Sequence, residues 1–377
     1  MSTKKKLLFF VFPINFFLSH RLPIALGAIK IGYEVHLISS DDAEKEMLKK
    51  HGIFFHPIKI SRSKANPINE IATIIQLRKL YNNIQPDIVH HITIKPILYG
   101  TLVARICRIK AVVNAFSGLG YVFTAKGLVA SLRRNCVILA YRLILKHKNL
   151  ISIVQNNDDL NYLNSKSIIC RNQTVLIRGS GVNLNEFRPT DEPSGVPIVI
   201  LPARILKDKG VIEYVEAAQL LKYKNIAVRM VLAGAIDHGN PSALTYEEIT
   251  DWTDKKIIEY WGHCKDMSSI LQKVNIVCLP SYREGLPKTL IEAAASARAI
   301  VTTDVPGCRE MIDTDNLNGI LVPPFDAIAI SEAIEELISF PTRRFAMAKN
   351  NRKLAERFFS IDQIVEKTLK IYAKLIK

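Results

Sequence analysis

The residues that could do chemistry crowd into one stretch, Leu279 to Met311, which reads LPSYREGLPKTLIEAAASARAIVTTDVPGCREM. A strand-like apolar run ends at Leu279, a loop with Arg283, Glu284 and Gly285 follows, and Pro287 stands where a helix can begin. Proline suits a first helical position because that position needs no amide donor. The unpaired amides of such a helix end, approached closely through Gly285, form a site for a phosphate. A strand, a glycine and a helix start recur in α/β proteins of every function, so the carboxylate of Glu292 carries more weight. It stands among Leu290, Ile291, Ala293, Ala294 and Ala295, where a bare charge is costly without a partner. The hydroxyls of a nucleotide's ribose would donate hydrogen bonds to it. The competing partner is Lys288 one turn earlier, although Lys before Glu is the less favourable order for such a pair.

A second candidate, PARILKDKG (Pro202 to Gly210), lies where another strand meets its helix. Arg204 offers a fork of donors to phosphate oxygens, and Lys209 a point charge at the helix start. Breaking a sugar–phosphate bond develops negative charge on the leaving diphosphate, and cations aimed at that charge lower the barrier. The alternative is a solvated basic loop. Asp313-Thr314-Asp315 has the spacing of a metal-chelating pair, but MIDTDNLNG around it reads as a polar turn. No metal is therefore expected, and Arg204 and Lys209 take its place.

Such loops need elements to hold them. Apolar, β-branched runs alternate with helical patterns almost from end to end, the signature of βα units around parallel sheets. The pattern predicts strands near 6–12, 33–39, 87–92, 110–115, 150–154 and 174–177, then near 197–203, 227–233, 257–261, 275–279, 299–303 and 318–322. It predicts helices at 21–31, 67–83, 96–108, 127–147, 209–222, 287–297 and 327–338. RPTDEPSGVP (Arg188 to Pro197), with three prolines and a glycine, breaks the rhythm and reads as a linker. A chain of 377 residues exceeds what one hydrophobic core usually holds. The expected fold is α/β, with two doubly wound Rossmann-like domains facing a central cleft. Residues 1–187 form the first and 188–355 the second, and 356–377 hold a C-terminal helix that can cross back to the first. Ligands of open parallel sheets bind beyond the carboxyl ends of the strands, where both candidate loops fall.

The net charge of +16 is unevenly spread, with 26 Lys and Arg against 9 Asp and Glu in residues 1–180, and 25 against 26 in the rest. Between Asp87 and Asp158 there is no acidic residue, while ten basic ones fall there. An anionic surface is the natural partner of such a segment. Lys126 to Lys148, KGLVASLRRNCVILAYRLILKHK, reads as a helix richer in Leu, Val and Ile than in cations, which suits an anionic bilayer interface better than a nucleic-acid groove. An ordinary core helix with a basic edge is the competing reading. The aromatics make no stacking row among the basic residues, so nucleic acid is not expected as a partner. The apolar run Leu7 to Leu18 is too short to span a bilayer and has no cleavage site, so neither an anchor nor a signal peptide is expected. Six scattered cysteines without a CxxC pair read as buried thiols of a reducing compartment.

At these motifs the sequence resembles the retaining glycosyltransferases of family 4, which have the two-domain GT-B architecture. Glu284 and Glu292 in REGLPKTLIEAAA match that family's carboxylate pair, and IVTTDVPGCRE, LPARILKDKGVIEYVEAA and RGSGVNLNEFRP match further stretches of it. LSHRLPIALGAIKIGYEV, DIVHHITIKPILYG, NAFSGLGYVF and IEYWGHCKDM are similar to the bacterial subgroup that builds O-antigen, capsule and related glycans on undecaprenyl diphosphate. The resemblance implies a hexosyltransferase that moves a hexose or N-acetylhexosamine, first UDP-GalNAc or UDP-GlcNAc, onto an undecaprenyl-diphosphate-linked sugar. It implies catalytic roles for Glu284, on hydroxyls of the donor sugar, and for Arg204 and Lys209, on the diphosphate. Donor binding would fall to Glu292 at the ribose and to the backbone at Gly285, Leu286 and Pro287. Ser19, His20, Lys95, Gly118 and Gly120 would line the acceptor side.

His90 and His91 would also belong to that side, although the family's usual His-x-His is here an adjacent pair, and satisfied core imidazoles are the alternative. Retention would follow from attack by the acceptor hydroxyl on the face the diphosphate leaves, with a donor phosphate oxygen taking the proton. No cofactor is expected, since the sugar nucleotide is a substrate. The chain would work in the cytoplasm, peripherally on the inner face of the cytoplasmic membrane. Two rival readings are a nucleotide-sugar epimerase of the same architecture, and a non-catalytic protein whose basic half holds membrane or nucleic acid.

Overall fold

The computed structural model describes residues 4–40, 44–60, 67–120, 123, 127–237, 239–313 and 317–376. Its contacts separate two units, Met1–Ser180 with Ile361–Lys377, and Gly181–Ser360. The first runs β1 (Lys6–Val11), α1 (Ile14–His20), α2 (Leu22–Lys30), β2 (Glu34–Ser39), α3 (Lys45–Lys50), β3 (Ile53–Pro57), α4 (Pro67–Ile84), β4 (Ile88–Ile92), α5 (Ile94–Ile106), β5 (Ala111–Phe116), α6 (Leu128–Ile144), β6 (Leu150–Val154), α7 (Asn157–Ser165) and β7 (Thr174–Leu176). Its strands form one parallel sheet in the order β3-β2-β1-β4-β5-β6-β7.

The second unit runs β8 (Ile198–Pro202), α8 (Val211–Tyr223), β9 (Arg229–Ala233), α9 (Tyr246–Asp254), β10 (Glu259–Tyr260), α10 (Met267–Leu271), β11 (Ile276–Leu279), α11 (Lys288–Ala295), β12 (Ala299–Thr303), β13 (Gly319–Val322), α12 (Ala327–Ser339) and α13 (Pro341–Phe358). Its parallel sheet has the order β10-β9-β8-β11-β12-β13. Both units are doubly wound Rossmann-like folds. In the second, the strand order reverses between β8 and β11, so their two following loops flank the crevice where such sheets bind ligands. The central strands are buried on both faces because helices cover both, and β5, β8 and β12 are buried throughout.

The segment expected as a linker is anchored inside the second unit. The buried Glu192 carboxylate accepts from Arg344 Nε at 2.9 Å and Asn275 Nδ2 at 2.9 Å, and Thr190 carbonyl accepts from Arg298 Nη1 at 2.9 Å. Val182 and Phe187 belong to the same core, so the division falls at Ser180/Gly181, before the expected 187/188. The last helix, α14 (Ile361–Leu375), packs Ile364, Ile371, Tyr372 and Leu375 into the first unit's core, beside α2.

On α6, Ile138 and Tyr141 are buried while Leu128, Val129, Leu132, Leu139 and Leu143 are exposed. No helix among the described residues is long and apolar enough to cross a membrane. The cysteines depart from the expected burial: only Cys278 and Cys308 are buried, and Cys136 and Cys170 are exposed.

Candidate active site

The β8 and β11 loops of the second unit are tied together by their backbones. Tyr282 N–H donates to Asp208 carbonyl at 3.0 Å, and Glu284 N–H ties the β11 loop in turn to the loop after β12 through Pro306 carbonyl at 3.1 Å. Gly210 makes the approach possible: its φ is +70°, and a Cβ there would lie 2.1 Å from Pro280 carbonyl oxygen. Helices α8 and α11 both start at these loops, behind Gly210 and Pro287, and neither start is capped by a side chain. Two sets of first-turn amides, each at the positive end of a helix dipole, therefore belong to one loop pair. Pro287 is the cap residue of α11, with the helix beginning at Lys288, one place later than predicted.

Of the charged residues read from the sequence, Lys209 and Glu284 meet across the two loops, whereas Arg204 and Glu292 take other partners. Lys209 forms an ion pair with Glu284, both largely buried. Arg204 donates from Nη1 to Asp237 Oδ2 at 2.6 Å, while its side chain stays 46% exposed. Glu292 is 7% exposed, and Lys288 Nζ lies 2.8 Å from its carboxylate, so the competing pair does form. Burial raises the Glu292 carboxyl above the usual range, and the Lys288 charge opposes that rise. Gly285, Leu286 and Pro287 are buried. Tyr282 hydroxyl donates to Glu213 Oε1 at 2.7 Å, and its ring packs on Phe325 with centroids 4.1 Å apart. A phosphate-bearing ligand would find two cations, two helix ends and a deeply set carboxylate on one rim. Sequence reasoning missed Asp237, Tyr282 and Glu213; the position of Asp237 just beyond the end of β9 was the available signal.

The residues expected on the acceptor side lie in the first unit and are only partly brought together. Ser19 Oγ lies 2.6 Å from His20 Nδ1, and the His20 ring stacks on Phe16 at 4.1 Å. Arg21 Nη2 donates to Ser117 Oγ at 3.3 Å, joining the end of α1 to the Ser117–Gly120 turn, whose Gly118 and Gly120 have φ of +87° and +67°. Lys95 instead pairs with Glu70 at 2.6 Å, and Tyr99 hydroxyl donates to the other Glu70 oxygen at 2.6 Å.

His90 and His91 are not surface groups. Neighbouring strand residues point to opposite faces, so the two rings cannot serve one site. His90 Nδ1 meets Tyr372 hydroxyl at 2.6 Å on one face of the sheet. On the other, His91 accepts at Nε2 from Tyr81 hydroxyl at 2.9 Å and donates from Nδ1 to Asn114 Oδ1 at 2.8 Å. Burial pushes His91 down to about 3 and His90 well below the usual imidazole range, so both are neutral core imidazoles. Of the Asp-x-Asp, Asp313 accommodates Asn318, which accepts from its backbone at 2.6 Å, whereas Thr314 and Asp315 lie outside the described residues. Among the described residues no group of three His, Cys, Asp or Glu is placed to hold a metal.

Comparison with known proteins follows the same division. Residues 183–354 match the family model described as glycosyl transferases group 1, and residues 6–156 match the one described as glycosyl transferase 4-like. The chain is 29% identical to the N,N'-diacetylbacillosaminyl-diphospho-undecaprenol alpha-1,3-N-acetylgalactosaminyltransferase of Campylobacter jejuni, over 96% of this chain and 98% of that protein. It is 22% identical to the UDP-Gal:alpha-D-GlcNAc-diphosphoundecaprenol alpha-1,3-galactosyltransferase of Escherichia coli, over 82% and 81%. A crystal structure of a glycosyltransferase from Rickettsia africae superposes with a TM-score of 0.79 at 22% identity, covering 100% of this chain and 99% of that one, a likeness of fold.

Proposed function

The chain belongs to the group 1 and 4-like glycosyltransferases, and we propose that within them it moves an N-acetylhexosamine from a UDP donor onto an undecaprenyl-diphosphate-linked sugar, in the synthesis of a surface polysaccharide or related glycan. UDP-GalNAc is the first donor to test and UDP-GlcNAc the second. The observation that carries the reading is the rim of the second unit, where Arg204, Lys209, Glu284 and Glu292 stand beside the starts of α8 and α11. Support for the acceptor class comes from similarity, over nearly the whole chain, to a protein named for transfer onto a diphospho-undecaprenol-linked sugar.

In this reading Glu292 accepts from the ribose hydroxyls, and Arg204 and Lys209 hold the diphosphate. Lys209 also fixes Glu284, which then accepts from hydroxyls of the donor sugar. As the sugar–phosphate bond breaks, charge grows on the diphosphate, and the two cations and the helix-end amides stabilise it without reorganising. The acceptor hydroxyl attacks on the face the diphosphate leaves, so configuration is retained, and a donor phosphate oxygen takes the proton. These cations do the work of a metal, so chelators leave turnover unchanged.

The first unit docks on the inner face of the membrane through α6. The exposed Leu128, Leu132, Leu139 and Leu143 follow helical spacing along one side, with Arg133, Arg142 and Lys146 around them. The test is incubation with UDP-, GDP- and dTDP-sugars, with and without polyprenyl-diphosphate-linked acceptors. A lengthened lipid-linked glycan from a UDP-N-acetylhexosamine is the expected product. Isomerised sugar nucleotide without acceptor would instead identify an epimerase.

A further inference from the structure

Arg204 is held by a carboxylate that the reading above does not use. The loop after β9 is fastened along the Arg204 loop by successive backbone hydrogen bonds: Ala203 N–H to Ala233 carbonyl at 3.0 Å, Ile205 N–H to Ala235 carbonyl at 3.0 Å, and Lys207 N–H to Ser242 carbonyl at 2.8 Å. Gly234 allows the contact, since a Cβ there would fall 1.8 Å from Ala203 carbonyl oxygen. Tyr260 hydroxyl donates to Gly234 carbonyl at 2.8 Å from the next strand. Asp237 leaves this fastened loop and takes Arg204 Nη1 at 2.6 Å.

Stability does not account for the pair. The Arg204 side chain is 46% exposed, and ion pairs at that exposure add little to a fold. Asp237 is the more enclosed partner, at 17%, so the rigid member of the pair is the carboxylate and the adjustable one is the guanidinium. Arginine presents its donors in a planar fork, so fixing Nη1 fixes the direction of the Nε and Nη2 hydrogens. Those two nitrogens take no protein partner among the described residues. An aspartate beside a diphosphate cation lowers its attraction for anions, a cost that makes sense where orientation matters more than affinity.

We infer that Asp237 is a positioning residue for transfer: by holding Nη1 it aims the Nε–Nη2 edge of Arg204 at the diphosphate oxygen on which charge develops. This rests on the reading that Arg204 holds the donor diphosphate. The consequence is a split between binding and turnover. Without the Asp237 charge, Arg204 attracts UDP as well as before or better, yet the fork is no longer aimed when the bond breaks.

The experiment compares D237N, R204A and the double variant with the parent chain. It reads kcat with the UDP-sugar active in the donor panel, the Kd of UDP by calorimetry, and Tm. Asparagine keeps the size and one carbonyl oxygen of Asp237, while it removes the charge and puts an NH2 donor in place of the other oxygen. D237N is expected to lower kcat about tenfold or more, as misplaced catalytic groups do. It is expected to keep or tighten UDP binding, to melt with the parent, and to add nothing in the R204A background. A D237N enzyme as fast as the parent overturns the inference, and so does an equal loss of kcat with and without Arg204. A combined fall in UDP affinity and Tm also overturns it, because that is what a merely structural aspartate would give. R204A turning over at the parental rate removes the diphosphate assignment and this inference with it, whereas a slow R204A beside a fast D237N overturns this inference alone.

Discussion

Replacing Glu292 by glutamine separates what this carboxylate does for the ligand from what it does to the fold. The side chain is 7% exposed, and burial holds its carboxyl above the unfolded value. A group raised in this way stabilises the fold while protonated; that contribution is complete below the unfolded pKa and gone once pH has risen through the folded pKa. At neutral pH the ionised carboxylate is therefore a cost, offset in part by the Lys288 pair at 2.8 Å. Glutamine removes both, so E292Q should melt at the parental Tm or above it at neutral pH, and the parent should draw level as the solution is acidified.

Ligand binding moves the other way. Hydrogen bonds to a charged acceptor are worth about 1.5–3 kcal/mol, so weakening the ribose contacts should raise the Kd of UDP about 10- to 100-fold. Calorimetric titration with UDP and a thermal melt on the same sample decide the matter. UDP binding at parental affinity, or a loss of Tm in step with the loss of affinity, would refute the assignment of Glu292 to the ribose.

Lys209→Ala should cut kcat by about 10²–10³, the scale seen when one preorganised donor to a developing anion is lost, with a smaller change in donor Kd. Gly210→Ala meets both an unfavourable φ and the Pro280 carbonyl, and urea denaturation should show a loss of at least about 1–3 kcal/mol together with slower turnover. On α6, a Leu132→Asp, Leu139→Asp variant should lose binding to anionic vesicles in flotation while keeping its Tm, because both side chains are exposed. Turnover in excess EDTA should match turnover without it.

The parallel sheets were legible because β8 and β11 are unbroken apolar runs, and helix α11 because Pro287 and its alanines mark it. Strand β3 was not, since IFFHP sits at a sheet edge with Phe54 exposed and a histidine and proline inside it. Helix α13 was hidden by its polarity, which the fold uses inside: Arg344 is buried against Glu192, and Asn351 donates to the Arg298 and Asn318 carbonyls at 2.9 and 2.7 Å. The same partnerships turned an apparent linker into part of a core. At the site, Arg204 and Lys209 could be picked out because cations at strand ends have few other reasons to cluster. Glu284 was picked out as well, but its pairing with Lys209 across 75 residues was not, nor that of Asp237 with Arg204 across 33, because no local pattern announces a contact between two loops. The histidine pair stayed open between an acceptor-side role and core imidazoles because its adjacency hides the alternation of a strand, which sends one ring to Tyr372 and the other to Tyr81.

The most direct measurement is calorimetric titration of the purified chain with UDP, repeated on Arg204→Ala and Lys209→Ala. Saturable binding by the parent at a single site, weakened by each substitution, is the expected result. Heat indistinguishable from dilution for UDP and every other nucleoside diphosphate, or UDP affinity untouched by both substitutions, would contradict the claim that this rim holds the diphosphate of a sugar nucleotide.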